Sequence, residues 1–254
     1  MEEAGDALVV RIANEARANA LDEAVLDSLV SLLNGPRPAG FRAVLLAGAG
    51  DRHFSAGLDL GDRPQEELAV HLEDGARRMG ETARAIVDCE VPVVGVINGA
   101  AFGGALELAM ACDWRIARRG ARLGMPAARL GLVYAPDGVR RFVAALGPGR
   151  SRRLFLTGEP VDADEALAIG LVDQVVEPGE LWPAAHAAVA AVAASAPLAV
   201  AGTRAIVRAL SEGPLPREVE GAADDWVARA FASEDFREGL SAFRERRPPN
   251  FRGV

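Results

Sequence analysis

The sequence predicts an α/β core followed by an α-helical C-terminal region, and its hydrophobic pattern carries that prediction. Short apolar runs that suit buried strands alternate with helical patterns as far as residue 176. From residue 180 onward the pattern is helical alone, with breaks at Pro197, at residues 213–216 and at Ser233. Strands alternating with helices, then helices alone, indicate this class of fold. We therefore expect a core over residues 1–195 and a helical region over residues 196–254.

The first elements follow from local signals. Residues 8–13 read as a strand, and Asp22 is placed to N-cap an amphipathic helix that ends near Leu33, before Gly35-Pro36. A second strand at residues 41–47 runs into a glycine-punctuated loop over residues 48–58. The other expected strands are residues 91–97, which are apolar as in a strand buried on both faces, 113–117 and 172–176. The other expected helices are residues 65–87, one within 98–111, one from near Asp137 to Leu146, then 181–194, 198–210, 217–231 and 235–246.

Composition limits where the protein works. The chain has 254 residues, half of them apolar, which is enough to bury a substantial core. Its longest apolar runs, such as residues 187–194, fall short of the roughly 20 residues that a membrane-spanning helix needs. The N-terminus is acidic where a secretory signal would be basic. We expect a soluble, cytoplasmic protein.

Charged and metal-binding residues exclude several classes of function. A formal net charge of -8 disfavours broad nucleic-acid binding, which needs a basic face. All 28 basic residues are arginine, so mechanisms that require a lysine amine are excluded, among them Schiff-base catalysis and the P-loop. The three histidines are scattered and show no metal-ligand spacing, and the two cysteines, Cys89 and Cys112, are interpreted as buried thiols. We expect no metal and no prosthetic group.

Two segments share one design, in which an apolar strand leads through a glycine-bearing turn to a helix. Glycine allows the backbone to aim N–H groups outward, and a helix N-terminus adds unsatisfied donors with positive dipole character. Two such turns together can hold one oxyanion. The turns are Phe54-Ser55-Ala56-Gly57-Leu58-Asp59-Leu60 and Gly99-Ala100-Ala101-Phe102-Gly103-Gly104-Ala105-Leu106-Glu107-Leu108-Ala109.

Two other enzyme classes lack their signatures. No G-x-S-x-G nucleophile elbow surrounds Ser55, Ser151 or Ser195, which argues against a serine hydrolase. Residues 48–53 lack the third glycine of a dinucleotide-binding turn, which argues against a nicotinamide-dependent dehydrogenase.

The two glycine turns resemble the F-x-A-G-x-D-[LI] and G-x-x-x-G-G-x-x-E-L-A segments of the enoyl-CoA hydratase/isomerase (crotonase) superfamily. The likeness spans essentially the whole chain. Its further parts are Asn19-Ala20-Leu21, Ala111-Cys112-Asp113, Gly170-Leu171-Val172 and Ala242-Phe243-Arg244-Glu245-Arg246-Arg247. The resemblance implies a crotonase-like spiral of repeated strand-strand-helix units. It also implies a homotrimer or homohexamer, whose C-terminal helices join subunits and close the acyl pocket.

The same resemblance gives roles to three residues. The N–H groups of Leu58 and Gly104 would point at the oxygen of an acyl-CoA thioester and stabilise an enolate. Glu107 lies about one helical turn beyond Gly104, in an otherwise apolar helix. A glutamate there is costly unless it is solvated, paired or functional, and we expect it to move a proton.

One position departs from the family pattern. Hydratases of the family usually carry a second catalytic glutamate directly after the proline of Met125-Pro126-Ala127, where this chain has alanine. Asp137 offers a substitute, because Ala135-Pro136-Asp137-Gly138 resembles the S-P-E-G segment of some enoyl-CoA isomerases. Asp137 could instead N-cap the helix over residues 138–146. Double-bond isomerisation is therefore slightly favoured over hydration, and the alternative is a catalytically silent acyl-CoA-binding paralogue.

Coenzyme A is expected as part of the thioester substrate. Its phosphates must be met by arginine or by backbone donors in a chain without lysine. Arg17 and Arg52 are candidates because each lies near a motif segment. Ala56 is a third candidate contact, as part of the first glycine turn. Arg246 and Arg247 are weaker candidates.

Overall fold

The computed structural model describes residues 2–35, 40–61, 64–211 and 217–254. Pro36 and the expected turn at residues 213–216 lie outside the described residues. In the ranges given, no single helix is long and apolar enough to cross a membrane.

Strands in the described ranges form two sheets. Their bounds are β1 (Glu2–Ala4), β2 (Ala7–Ile12), β3 (Ala43–Gly48), β4 (His53–Ser55), β5 (Val93–Ile97), β6 (Ala100–Phe102), β7 (Trp114–Arg118), β8 (Arg122–Gly124), β9 (Val161–Asp162) and β10 (Gln174–Val176). The larger sheet has the order β1-β2-β3-β5-β7-β10 and is parallel except for the β1–β2 pair. The smaller sheet has the order β4-β6-β8-β9. Every residue of β3 and β5 is buried, as the continuous apolar runs predict.

The helices surround these sheets and then continue alone. Their bounds are α1 (Glu23–Asn34), α2 (Gln65–Asp88), α3 (Gly104–Ala111), α4 (Pro136–Thr157), α5 (Ala163–Ile169), α6 (Leu181–Ala193), α7 (Pro197–Ser211), α8 (Arg217–Ala232) and α9 (Glu234–Glu245). The predicted α/β class with a helical C-terminal region is confirmed. The boundary expected at residue 195 falls between α6 and α7, and the division into two regions stays a prediction.

The chain repeats one unit three times. Each of β3-β4-α2, β5-β6-α3 and β7-β8-α4 places its first strand in the larger sheet and its second in the smaller one. The chain therefore winds as a spiral of strand-strand-helix units. This arrangement sets the loops after β3 and β5 next to each other, because those two strands are parallel neighbours.

Two helix starts test the capping predictions. Asp22 caps α1 as expected, and its carboxylate accepts a hydrogen bond from Val25 N at 2.9 Å. The expectation that Asp137 caps α4 is wrong, because the helix begins one residue earlier at Pro136 and its N-cap is Ala135. Proline suits the first helical position, since its missing N–H would have no partner there. Helix α4 also continues past Leu146 to Thr157, across a kink at Gly147 where φ is 75°.

Arg204 helps to attach the C-terminal helices to the core. Arg204 of α7 pairs with Asp113 at 2.6 Å and donates to the carbonyl oxygens of Ile86, at 3.1 Å, and Cys89 at the end of α2. It thereby satisfies carbonyls that a helix C-terminus leaves without partners. Both cysteines are buried thiols, as predicted, and burial raises the pKa of the Cys112 thiol to about 12.

Candidate active site

Two buried asparagines hold the loop that follows β3. Asn98 accepts a hydrogen bond from Gly48 N at 2.9 Å and donates to Gly50 O at 2.9 Å. The amide of Asn19 donates to the carbonyls of Ala49 and His53, each at 2.9 Å. These bonds satisfy backbone groups that the loop would otherwise bury unpaired. The loop is thus fixed from both sides before it reaches Leu58.

The N–H of Leu58 is directed by a short parallel bridge between Leu58 and Leu21. Leu21 N donates to Gly57 O at 2.8 Å, and Asp59 N donates to Leu21 O at 3.0 Å. Both bonds join Leu21 to the residues on either side of Leu58. In a parallel pair, the N–H of Leu58 itself therefore points away from Leu21.

The glycine turns that carry Leu58 and Gly104 approach each other closely. Gly57, at φ 95°, lies so close to the second turn that an added Cβ would be 2.5 Å from Phe102 O and 3.3 Å from Gly104 N. A Cβ added to Gly104 would be 3.6 Å from Leu58 N. Gly104 opens α3, where an N–H has no intrahelical acceptor. Within the described part of the chain, neither N–H has a hydrogen-bond acceptor.

Glu107 is the buried acid beside these donors. It lies in the first turn of α3 and is only 4% exposed. The Tyr134 hydroxyl donates to its Oε2 at 2.7 Å, and Arg141 Nη1 donates to its Oε1 at 3.1 Å. An added Cβ on Gly138 would lie 3.1 Å from Glu107 Cδ, so a glycine there lets α4 approach the carboxylate. Both oxygens of Glu107 are therefore oriented by neighbouring donors.

Burial raises the pKa of Glu107, because the charged form loses water. The hydrogen bond from Tyr134 and the charge of Arg141 oppose that rise, whereas the charge of Asp137 adds to it. Burial and the neighbouring Glu107 also raise the pKa of Tyr134 well above its ordinary value. The phenol therefore stays protonated and donates its hydrogen bond to the Glu107 carboxylate.

Asp137 and Ala127 lie in different environments. The Asp137 side chain is half exposed and binds Arg140 at 2.6 Å and Arg84 at 3.4 Å. The charge of Asp137 raises the pKa of Glu107. Among the described residues, no hydrogen bond joins the two side chains. Ala127 is buried in a short 3-10 helix, Pro126–Leu130.

The expected coenzyme A contacts are spread over the surface near the first glycine turn. Arg17 is half exposed and pairs with Asp59 at 2.6 Å. Ala56 is exposed, and its N–H donates to Ala18 O at 2.9 Å. Arg52 is exposed and lines a cavity of about 230 Å³ with Arg118 and others. Their contact with coenzyme A stays a prediction.

Both weaker coenzyme A candidates lie at the end of α9. Arg246 is its C-cap, and Arg247 pairs with Glu238 at 2.6 Å.

Sequence reasoning missed Tyr134 and Arg141. Tyr134 is the one tyrosine of the chain and directly precedes the Ala135-Pro136-Asp137-Gly138 segment, which could have drawn attention to it. Arg141 lies one helical turn beyond Asp137, on the same face of α4. Each reaches Glu107 across a long stretch of chain, which local patterns do not reveal.

Comparison with known proteins agrees with the fold and the paired turns. The sequence model of the enoyl-CoA hydratase/isomerase family matches residues 2–254. A crotonyl-CoA hydratase of Syntrophomonas wolfei is 33% identical over 250 residues, which cover 96% of this chain and 94% of that protein. A carnitinyl-CoA dehydratase of Salmonella paratyphi A is 33% identical over 246 residues, which cover 93% and 92%.

Solved structures show the same architecture. An enoyl-CoA hydratase from Bacillus anthracis superimposes with a TM-score of 0.89 at 31% identity, covering all of this chain and 98% of that one. Pseudomonas aeruginosa DspI gives a TM-score of 0.89 at 35% identity, covering 99% and 95%. The fold is thus the crotonase spiral that the sequence predicted. The chain belongs to the enoyl-CoA hydratase/isomerase family.

Proposed function

We propose that this protein is an enzyme that moves a proton on an enoyl-CoA thioester. The carbonyl oxygen binds the N–H groups of Leu58 and Gly104, and Glu107 transfers the proton. One observation carries the proposal: a buried carboxylate, held by two donors, lies in the first turn of the helix that begins at Gly104, close to the backbone nitrogen of Leu58.

The two N–H groups supply the electrostatic part of catalysis. When a proton leaves the carbon next to the thioester carbonyl, negative charge moves onto the carbonyl oxygen. Fixed donors stabilise that charge without having to reorganise, and losing one typically costs about 3–4 kcal/mol. The asparagines that hold the preceding loop keep the Leu58 donor in place before substrate arrives.

Glu107 supplies the proton transfer. A raised pKa suits a group that must both accept and return a proton near neutral pH. In isomerisation of a 3-enoyl thioester, Glu107 takes a proton from the carbon next to the carbonyl and returns it two carbons further along. The double bond moves into conjugation with the carbonyl, and no atom is gained or lost.

Isomerisation is slightly favoured over hydration. Alanine at position 127 removes the carboxylate that family hydratases usually place there, and hydration benefits from two carboxylates that share the work of positioning water. Asp137 is proposed as the second proton-handling group, although its oxygens now bind Arg140 and Arg84. The names of the relatives include a hydratase and a dehydratase, so addition of water is the outcome to test against.

The first experiment incubates the protein with short 2-enoyl- and 3-enoyl-CoA thioesters in deuterated water and identifies products by chromatography and mass spectrometry. Deuterium uptake with migration of the double bond supports isomerisation, and addition of water supports hydration. The Glu107→Gln variant should lower kcat far more than it changes substrate binding. An unchanged kcat in that variant would remove Glu107 from the mechanism.

The second candidate is a catalytically silent acyl-CoA-binding paralogue, which Ala127 favours. Such a protein would be stabilised against thermal unfolding by acyl-CoA and would give no product. Thermal unfolding and turnover measured on the same preparation separate the two functions.

We also propose a homotrimer or homohexamer that works in the cytoplasm. Val133 is fully exposed and Phe243 is 84% exposed, and burial in an interface would remove both from water. Mass photometry measures the assembly.

Coenzyme A is proposed to bind near Arg17, Arg52 and Ala56. Arg17→Gln should therefore raise the KM for a thioester.

A further inference from the structure

A cavity of about 500 Å³ lies beside Glu107, between the ends of α2 and α3 and the faces of α4 and α7. Its volume is that of a small-ligand site. Its lining is unusual in charge, with six arginines and three aspartates among the residues that the structure describes. The arginines are Arg84, Arg115, Arg140, Arg141, Arg204 and Arg208.

Arg141 joins this cavity to the candidate active site. Its guanidinium lines the cavity and also donates to Glu107 Oε1 at 3.1 Å. The cavity therefore begins one side chain beyond the proton-handling carboxylate. A substrate whose reacting carbons meet Glu107 would direct the remainder of its acyl chain toward such a neighbouring space.

The arginines of this cavity outnumber their carboxylate partners. Six guanidinium groups pair with five carboxylates among the described residues, since Asp137 serves two of them. The pairs are Arg84 and Arg140 with Asp137, Arg141 with Glu107, Arg115 with Asp173, Arg204 with Asp113, and Arg208 with Asp88. The six guanidinium groups therefore exceed the carboxylates by one, at the exposed pair Arg84 and Arg140, which share Asp137.

Arg115 lines the cavity and carries a buried donor without a partner in the described structure. The Arg115 side chain is only 9% exposed, and its Nε is buried without a hydrogen-bond partner in the described structure. A buried polar group without a partner costs free energy, most of all when it is charged. An anion in the cavity would balance the net charge, whereas the Arg115 Nε is too deeply buried to contact it.

We propose that the cavity receives the far end of the acyl chain and that this end carries a carboxylate. The substrate class is then an enoyl-CoA with a second, distal carboxyl group. This inference rests on the proposed function, because it assumes that the thioester end lies against Leu58, Gly104 and Glu107. Arg84 and Arg140 at the rim are the specificity-determining residues, and a distal carboxylate would take the place of the missing anionic partner.

The test compares two enoyl-CoA thioesters of equal chain length, one ending in a carboxylate and one ending in a methyl group, over a series of lengths. Charge-assisted hydrogen bonds contribute enough for a preference of about tenfold or more in kcat/KM. The double variant Arg84→Gln/Arg140→Gln should reduce the ratio of the two kcat/KM values by a similar factor. The matched control is Arg153→Gln, because Arg153 is also an exposed, ion-paired arginine of α4 and lies outside the cavity. The Arg153→Gln variant should leave the ratio of the two kcat/KM values unchanged.

Binding of the saturated thioesters, measured by titration calorimetry, separates this inference from the proposed function. Turnover without any preference for the carboxylate would overturn the inference and leave the function. A binding preference that the double variant abolishes, found without turnover of any enoyl-CoA, would keep the inference and overturn the function. A preference that survives in the double variant, or no preference in either assay, would overturn the assignment to this cavity.

Discussion

Replacement of Gly57 by alanine tests whether the two N–H groups act together. Gly57 has φ 95°, and an alanine there costs about 1–2 kcal/mol in backbone strain. Its Cβ would lie 2.5 Å from Phe102 O, which is about 0.8 Å inside the usual carbon–oxygen contact of about 3.3 Å. The two turns must separate by roughly that amount. A displacement of about 1 Å can cost about 10²-fold in rate, so kcat/KM should fall by about 10²-fold.

Gly5→Ala is the matched control. Gly5 also has a positive φ, 59°, but an added Cβ there meets nothing within 4 Å. It therefore carries the backbone strain without separating the turns. Both variants should lose similar stability in thermal unfolding, and only Gly57→Ala should lose activity toward the enoyl-CoA that the wild type converts. Equal activities in the two variants would refute the idea that Leu58 and Gly104 hold the carbonyl oxygen together.

Four other substitutions have effects whose direction follows from the structure. Tyr134→Phe removes a bond that lowers the pKa of Glu107, so the acid limb of kcat/KM should move to higher pH, whereas Asp137→Asn should move it to lower pH; shifts of equal sign would contradict this. Because the folded-state pKa of Glu107 is raised, its neutral form favours folding, and that stability is lost as pH rises through the folded pKa. The wild type should therefore lose stability relative to Glu107→Gln over that rise, measured by denaturant unfolding at several pH values. Asn98→Leu leaves buried loop groups unpaired and should cost about 2–5 kcal/mol in the same assay, against little change for exposed Asn34→Leu.

The sequence predicted the long elements of this fold better than the short ones. Strands β2, β3, β5 and β7 are five or six residues long and show a clear apolar run, and each lies within two residues of its expected position. The strands of the smaller sheet are two or three residues long. A side-chain pattern needs about four residues to be recognised, so the sequence does not predict these short strands.

The sequence likewise predicts some parts of the candidate site and not others. The turns that carry Leu58 and Gly104 are predicted from glycine spacing, and the structure brings these turns close together. The side chains that hold Glu107 come from Tyr134 and Arg141, which local sequence does not connect to it. Their contacts depend on how the third spiral unit returns α4 over α3. The catalytic roles of Leu58, Gly104 and Glu107 stay predictions.

The absence of lysine gives the ion pairs of this protein a one-sided response to acidity. A guanidinium keeps its proton far above the pH at which a lysine amine, with a pKa of about 10.4, loses it. Arg204 attaches α7 to α2 and to Asp113 through such a guanidinium. On the alkaline side, the contacts between the C-terminal helices and the core should outlast those of a lysine-based homologue. The absence of lysine also leaves reagents that modify side-chain amines without a target anywhere in this sequence.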